Sequence, residues 1–388
     1  PPQAVLDGWD LAARHNFFNG LAWGPEGDLY FAAGDPLLNY GDFSRPDHWG
    51  HWSVFSQPPG TQTPYTGQGG VFRCRADGSR FEVLARGLRG PDGLAFDRDW
   101  NLFTNDNDHE SLAASYSPAR LLHVPPHCDL GWPRGWMPQI TPERADLVDV
   151  VYEGMTRGVP VGQAYYDEPY FLPARYRHNL LVARWDARSL TRYPLQPRGA
   201  SFQACEEAVL VGRGNARPVG VCVGRGGRIF VAIAYMAQNE HSPAYPSDLV
   251  MLTRADDFEN FPFQRHRVTE ISDTLLWEDL HSPSWSRRQR AHQELLRRGG
   301  DLWPQAAWVI LAEPPSETAI PHALWLAAVP PTPKGRGLLI SQAVLPEQLE
   351  AWRQRDPEVA YWLPLYPRPP QGRFRWQALR VLARHAEL

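Results

Sequence analysis

Cysteine and methionine are scarce, at four each in 388 residues. Cys74, Cys128, Cys205 and Cys222 are scattered, with no C-x-x-C and no C-x-x-C-H. That excludes a zinc knuckle and a covalently attached c-type haem. Long apolar runs are missing as well: none approaches the roughly 20 residues that span a bilayer, and the mean hydropathy is -0.44. Neither sign of charge dominates, since 39 Lys and Arg stand against 43 Asp and Glu for a formal net charge of -4. Nothing electrostatic therefore points to nucleic acid or an anionic membrane as a partner. The opening residues, PPQAVLDGWD, show no basic n-region and no apolar h-region, so no targeting peptide is visible. No G-x-G-x-x-G follows a strand, and there is no Walker loop, G-x-S-x-G elbow or H-E-x-x-H. Their absence removes nicotinamide-Rossmann, P-loop and common hydrolase readings.

What is abundant is turn chemistry and aromatic mass: 38 Pro, 32 Gly and 16 Trp describe many short elements. One pattern recurs. GLAWGPEGDLYFAAGD from Gly20, GLAFDRDWNLFTNDND from Gly93 and GVCVGRGGRIFVAIAY from Gly220 each read glycine, mostly apolar residues, a turn and an apolar strand. A looser copy starts at Gly162. Between the copies lie further strand candidates, about four per repeat, which is the signature of a β-propeller. The expectation is a mainly β chain with four or five visible blades over 1–268, with amino-terminal strands of the propeller expected to be missing. After about Asp273 apolar positions recur at helical spacing and short helices are broken by proline, so 269–388 is expected to be a smaller α-helical domain of HEAT-like repeats.

Strand ends are where such a fold can present polar groups. His15, with its near-neutral titration, is the first candidate general base, and Asp35 at the end of the next strand is its candidate orienter. Asn16 is the polar neighbour of that histidine. Arg89, in GLRGPDGLAF, precedes the second repeat as Arg217 precedes the last, and equivalent positions in successive blades point at one face, so both are candidates for one anionic ligand. Asn105, Asp106, Asn107 and Asp108 supply hard oxygen ligands of the kind calcium takes, without the spacing of an EF-hand loop. His123, His127 and Cys128 make a metal set without a fourth ligand at useful spacing.

The segments HNFFNGLAWGPEGDLYFAAGD, FEVLARGLRGPDGLAFD, LHVPPHCDLGWPRG and RPVGVCVGRGGRIFVA stand in the order and spacing seen in the soluble quinoprotein glucose/sorbosone dehydrogenase superfamily, which the chain resembles over about Leu11 to Arg254. It is most similar to the planctomycete-type membrane-bound dehydrogenase-like proteins, in which a propeller is followed by HEAT repeats and often by a haem-binding cytochrome domain. The resemblance implies a six-bladed-type propeller binding pyrroloquinoline quinone (PQQ) with calcium at one mouth. It implies that His15 takes the hydroxyl proton of a sugar or alcohol, that Asp35 orients it, and that Arg89 contacts the cofactor; Arg217 and Asn16 are expected as further cofactor contacts. Calcium is expected at Asn105 to Asp108, the electron acceptor is expected to be a cytochrome, and the compartment to be periplasmic or extracellular. Gly90 departs from the pattern, which has asparagine after the arginine. The rival readings are a non-catalytic propeller that binds carbohydrate or protein, and a calcium-dependent lactonase-like hydrolase.

Overall fold

A computed structural model of the chain describes residues 5–6, 18–34, 69–107, 119–131, 150–152, 155, 159–237, 243–252, 267–345, 348, 351, 354–355 and 372–385. Two compact units divide the chain. The first comprises Pro1–Trp23, Asp28–Asp97 and Asn101–Asn260; the second comprises Phe261–Leu388 together with two short turns, Gly24–Gly27 and Arg98–Trp100.

The first unit is mainly β, in successive antiparallel sheets. Strands β1 (Phe18–Trp23), β2 (Leu29–Ala33), β3 (Gly70–Cys74) and β4 (Glu82–Arg86) form the first, and β8 (Cys128–Asp129) adds in parallel at the outer edge of β4. The second is β5 (Leu94–Phe96), β6 (Leu102–Asp106), β7 (Arg120–His123) and β9 (Val150–Tyr152). The third is β10 (Pro160–Tyr166), β11 (Asn179–Arg184), β12 (Ser189–Pro194) and β15 (Glu207–Val211), with a side hairpin of β13 (Gln196–Arg198) and β14 (Ser201–Gln203). The fourth, among the described residues, is β16 (Ala216–Val223), β17 (Ile229–Met236) and β18 (Pro243–Leu252).

Each sheet is a meander whose first strand touches the first strand of the next, β1 to β5, β5 to β10 and β10 to β16. That radial succession is the arrangement of propeller blades. The side-chain pattern follows from it. In β17, Ile229, Val231 and Ile233 are buried with Tyr166, Leu181, Leu190 and Ala216 in a core shared by the third and fourth sheets. Stacked rings of Phe31, Phe72 and Phe81 fill the first sheet's core, with Phe31 and Phe72 5.4 Å apart and Phe72 and Phe81 5.8 Å apart.

The four glycines that mark the sequence repeats lie on these inner strands or at their start, and each of the first three abuts its neighbour. A Cβ on Gly20 would stand 2.8 Å from the carbonyl carbon of Gly93, one on Gly93 would stand 2.7 Å from Cβ of Gln163, and one on Gly162 would stand 3.1 Å from Cα of Gly220. Only a residue without a side chain lets two backbones approach so closely.

The second unit holds six helices among its described residues: α1 (Asp273–Asp279), α2 (Trp285–Arg298), α3 (Trp303–Leu311), α4 (Ile320–Leu326), α5 (Pro333–Ala343) and α6 (Gly372–Arg384). Ser272, Ser284 and Thr332 cap α1, α2 and α5 by accepting from the main-chain N–H groups of Leu275, Arg287 and Gly335. α1 packs on α2, α3 on α4 and α5 on α6, and all seven residues of α4 are buried. No described helix is long and apolar enough to cross a membrane.

Gly20 adopts φ 72° with neighbouring backbone at 2.8 Å, whereas Gly199 adopts φ 57° with nothing within 4 Å of a Cβ. Gly199→Ala therefore carries the backbone penalty alone, about 1–2 kcal/mol. Gly20→Ala adds a main-chain clash and is expected to cost about 2–4 kcal/mol in chemical denaturation; equal costs for the two variants would contradict the close approach of the inner strands.

Candidate functional site

The polar centre of the first unit forms where the loop after β4 returns to start β5. Asp106, the last residue of β6, is fully buried and turns its carboxylate back to that loop. Its Oδ1 accepts from the main-chain N–H of Arg89 at 3.0 Å and of Gly90 at 2.8 Å, and its Oδ2 accepts from Arg120 Nη2 at 3.1 Å. Register makes this set: Arg120, the first residue of β7, lies directly across the ladder from Asp106. Arg120 also donates through Nη1 to the carbonyl of Leu130 at 2.8 Å. Burial pushes the Asp106 carboxyl up, opposed first by Arg120 and then by the two main-chain donors.

Asn105, one residue earlier, is fully buried on the other side of the strand. It accepts from the main-chain N–H of Asp92 at 3.1 Å and reaches Gln163 at 3.4 Å, while Gln163 donates to the carbonyl of Phe103 at 3.0 Å. Thr104 donates to the carbonyl of Gly93 at 2.8 Å. A ladder of amides and hydroxyls thus closes the seam between the second and third sheets.

Two of the four residues expected to hold calcium are consequently spent inside the fold. Asp106 satisfies both carboxylate oxygens with main-chain and Arg120 donors, and Asn105 uses its amide on both sides, so as metal ligands both would have to release buried partners. Asn107 differs: its N–H bonds the carbonyl of Gly90 at 3.0 Å, but its buried Oδ1 has no partner among the described residues. Among the described residues no group of three or more His, Cys, Asp or Glu is placed to hold a metal. His123 packs its ring against Phe103 and Phe202 at 5.3 and 5.2 Å and bonds Ser201 at 3.2 Å, His127 is exposed at the turn before β8, and Cys128 is a strand residue.

Arg89 is buried, with its main chain anchored on Asp106. Arg217 lies on β16 opposite Ala234, three residues before Gly220. Its Nε and Nη1 are buried and make no hydrogen bond among the described residues. His15, Asn16, Asp35 and Asp108 lie outside the described residues.

One residue the sequence reading passed over belongs to this site. Asp92 is half-buried immediately before Gly93, and burial, with the charge of Asp106 as the lesser cause, pushes its carboxyl up to about 7. The signal was the Gly90-Pro91-Asp92-Gly93 turn itself, since an acid there sits one residue from an inner-strand glycine. A carboxyl that titrates near neutrality can accept or return a proton at physiological pH.

No protein-family profile matches the chain, and no curated protein matches it. Among solved structures it is similar to a putative oxidoreductase (glucose dehydrogenase) from Thermus thermophilus, at 21% identity over 64% of this chain and 68% of that one with a TM-score of 0.45. It is similar to the PQQ-bound aldose sugar dehydrogenase of Streptomyces coelicolor, at 19% identity over 61% of each chain with a TM-score of 0.42. The soluble aldose sugar dehydrogenase of Escherichia coli, in its apo form, matches at 17% identity over 60% of this chain and 63% of that one with a TM-score of 0.40. The matched region spans about three fifths of the Streptomyces and Escherichia proteins.

Two outcomes follow. Asp106→Asn strips a buried arginine of its carboxylate and is expected to lower stability by about 3–5 kcal/mol, equally with and without a calcium chelator; a loss confined to calcium-loaded protein would make Asp106 a metal ligand instead. For Asp92 the folded value of about 7 lies above the ordinary 3.8, so its contribution is fully present below 3.8 and is lost as pH rises through about 7. Asp92→Asn is therefore expected to gain melting temperature relative to the native chain at pH 8 more than at pH 5; an equal difference at both would refute the shift.

Proposed function

We propose that the chain is a quinoprotein-type oxidoreductase that oxidises a sugar or another alcohol, with its site at the ends of the inner strands. The observation that carries the reading is Arg217. A guanidinium with two buried nitrogens and no hydrogen bond among the described residues is costly, on the order of 1–3 kcal/mol for each unsatisfied group, and it is accounted for when an anionic ligand completes it. PQQ, an anionic quinone, has carboxylates that fit such a donor set, and when bound it supplies a two-electron acceptor.

The chain's own residues then divide the work. Arg217 binds a carboxylate of the cofactor, and Arg89, held in place through the Asp106 carboxylate on its main chain, borders the same end of the second sheet. His15 is the base that takes the proton of the substrate hydroxyl, with Asp35 as its orienter and Asn16 beside it. Positioning the carbinol against the acceptor is the task left to the fold. Calcium is no part of this reading through Asn105 or Asp106, whose oxygens are already bonded. The helical unit as a HEAT-like array, a cytochrome acceptor and a periplasmic or extracellular setting belong to the same proposal by the sequence resemblance alone.

A second reading is favoured by one observation: the Asp106 carboxylate already accepts from the Gly90 N–H and from Arg120, which suits a propeller that binds carbohydrate or protein without turnover.

Titration with PQQ, followed by quinone absorbance and by thermal shift, distinguishes the two. Saturable binding that Arg217→Ala weakens at least about tenfold, the worth of one charge-assisted contact, is expected. Absence of binding, or binding indifferent to Arg217→Ala, would leave the non-catalytic reading.

A further inference from the structure

The helical unit contains a buried histidine pair that no part of the proposed reaction uses. His292 on α2 and His322 on α4 are both fully buried, with ring centroids 5.1 Å apart. Trp100 lies 4.8 Å from His292 and 5.3 Å from His322, and Trp285 lies 5.0 Å from Trp100 and 5.5 Å from His322. Four aromatic rings thus meet with no water-exposed member.

The two turns of this unit are held by that cluster. His292 donates through Nε2 to the carbonyl of Pro25 at 2.7 Å, which leaves Nδ1 as an unprotonated, buried nitrogen without a partner among the described residues. Gln293 donates to the carbonyl of Gly24 at 2.7 Å. On the second turn, Arg380 donates to the carbonyl of Trp100 at 2.8 Å and Gln377 donates to that of Asp99. Trp100 occupies the left-handed region at φ 60°, the place that Gly27 takes, at φ 86°, in the equivalent turn of the first sheet. A bulky residue there costs on the order of 1–2 kcal/mol. The indole there packs against both imidazoles.

Neither nitrogen of His322 has a hydrogen-bond partner among the described residues. An imidazolium in this cluster would be a buried charge without a counter-ion. The charged groups around it do not supply one. Arg288, itself buried beside Trp285, repels a proton on His322. On the first turn the carboxylate of Glu26 pairs with Arg384 at 3.3 Å, on α2 Glu294 is committed to Arg297 and Arg298, and on the second turn Asp99 lies beside Arg98 at 3.9 Å. Asp279 on α1 pairs with Arg287, and His281, in the loop after α1, is itself held below its ordinary value by burial.

We propose that His292, His322, Trp100 and Trp285 form an acid-labile latch: protonation of the two imidazoles unseats the turns Gly24–Gly27 and Arg98–Trp100 from helices α2 and α4. Burial lowers His292 to about 4, and burial, with His292 and Arg288 as lesser causes, holds His322 well below the ordinary 6.5. The sign is that of a depressed base. The latch is fully closed above 6.5 and weakens as pH falls toward 4, because the opened state takes up protons that the closed one refuses.

Hydrogen exchange of the full chain, corrected for the intrinsic rate, tests this at pH 7 and pH 5. The opening equilibrium of α2, α4 and the two turns is expected to rise on the order of 20-fold for each histidine. His292→Gln keeps the donor to Pro25 but cannot titrate, and His322→Leu removes the other proton; each variant should lose its share of the pH dependence. A merely structural role would instead shift stability equally at both pH values. Opening that is independent of pH in the native chain, or variants that keep the whole dependence, overturns the latch, and the first of these needs no variant to fold.

Discussion

The close approach of the inner strands is the constraint on which the rest of the first unit depends. Gly20 and Gly93 come against the next sheet at distances a Cβ would forbid, and Gly162 at a distance that leaves a Cβ little room. Arg89 and Asp92 stand just before Gly93, at the start of the second sheet, and Arg217 stands on β16 three residues before Gly220. The apolar cores, mostly aliphatic between the third and fourth sheets and aromatic in the first, then add stability by burial.

Around that frame the charges are used in two different ways. Asp106 and Arg120 pair across one rung of the β6–β7 ladder, with the main-chain N–H groups of Arg89 and Gly90 supplying further donors, so the pair holds the loop before β5. Arg217 has no such partner among the described residues, and no described donor bonds the Asp92 carboxylate. A guanidinium with two buried, unbonded nitrogens is the group to which the proposed anionic ligand is assigned.

How much of this was legible in the sequence differs from residue to residue. The repeat glycines were readable, because their need for space recurs at each inner strand and leaves a visible period. The change to helical texture after Asp273 was readable from apolar spacing and from the prolines that break it into short helices. At Asn105 and Asp106 composition alone is ambiguous, because a metal site and a structural carboxylate draw on the same residues. What separates them is cross-strand register, which sets Arg120 opposite Asp106 and is a property of the pairing rather than of either segment. Trp100 looked like a turn residue between strands, and nothing local announces that it packs with His292 and His322, which come far later in the chain. Long-range packing of this kind has no period to read.

Binding of an anionic quinone by Arg217, as proposed, is tested most directly by hydrogen exchange with and without saturating PQQ, resolved to the peptide that covers residues 214–223. Slowed exchange is expected there and in 87–93, with α2 and α4 unchanged. Unaltered exchange over 214–223 at a quinone concentration that shifts the protein's melting would place the cofactor elsewhere and contradict that proposal.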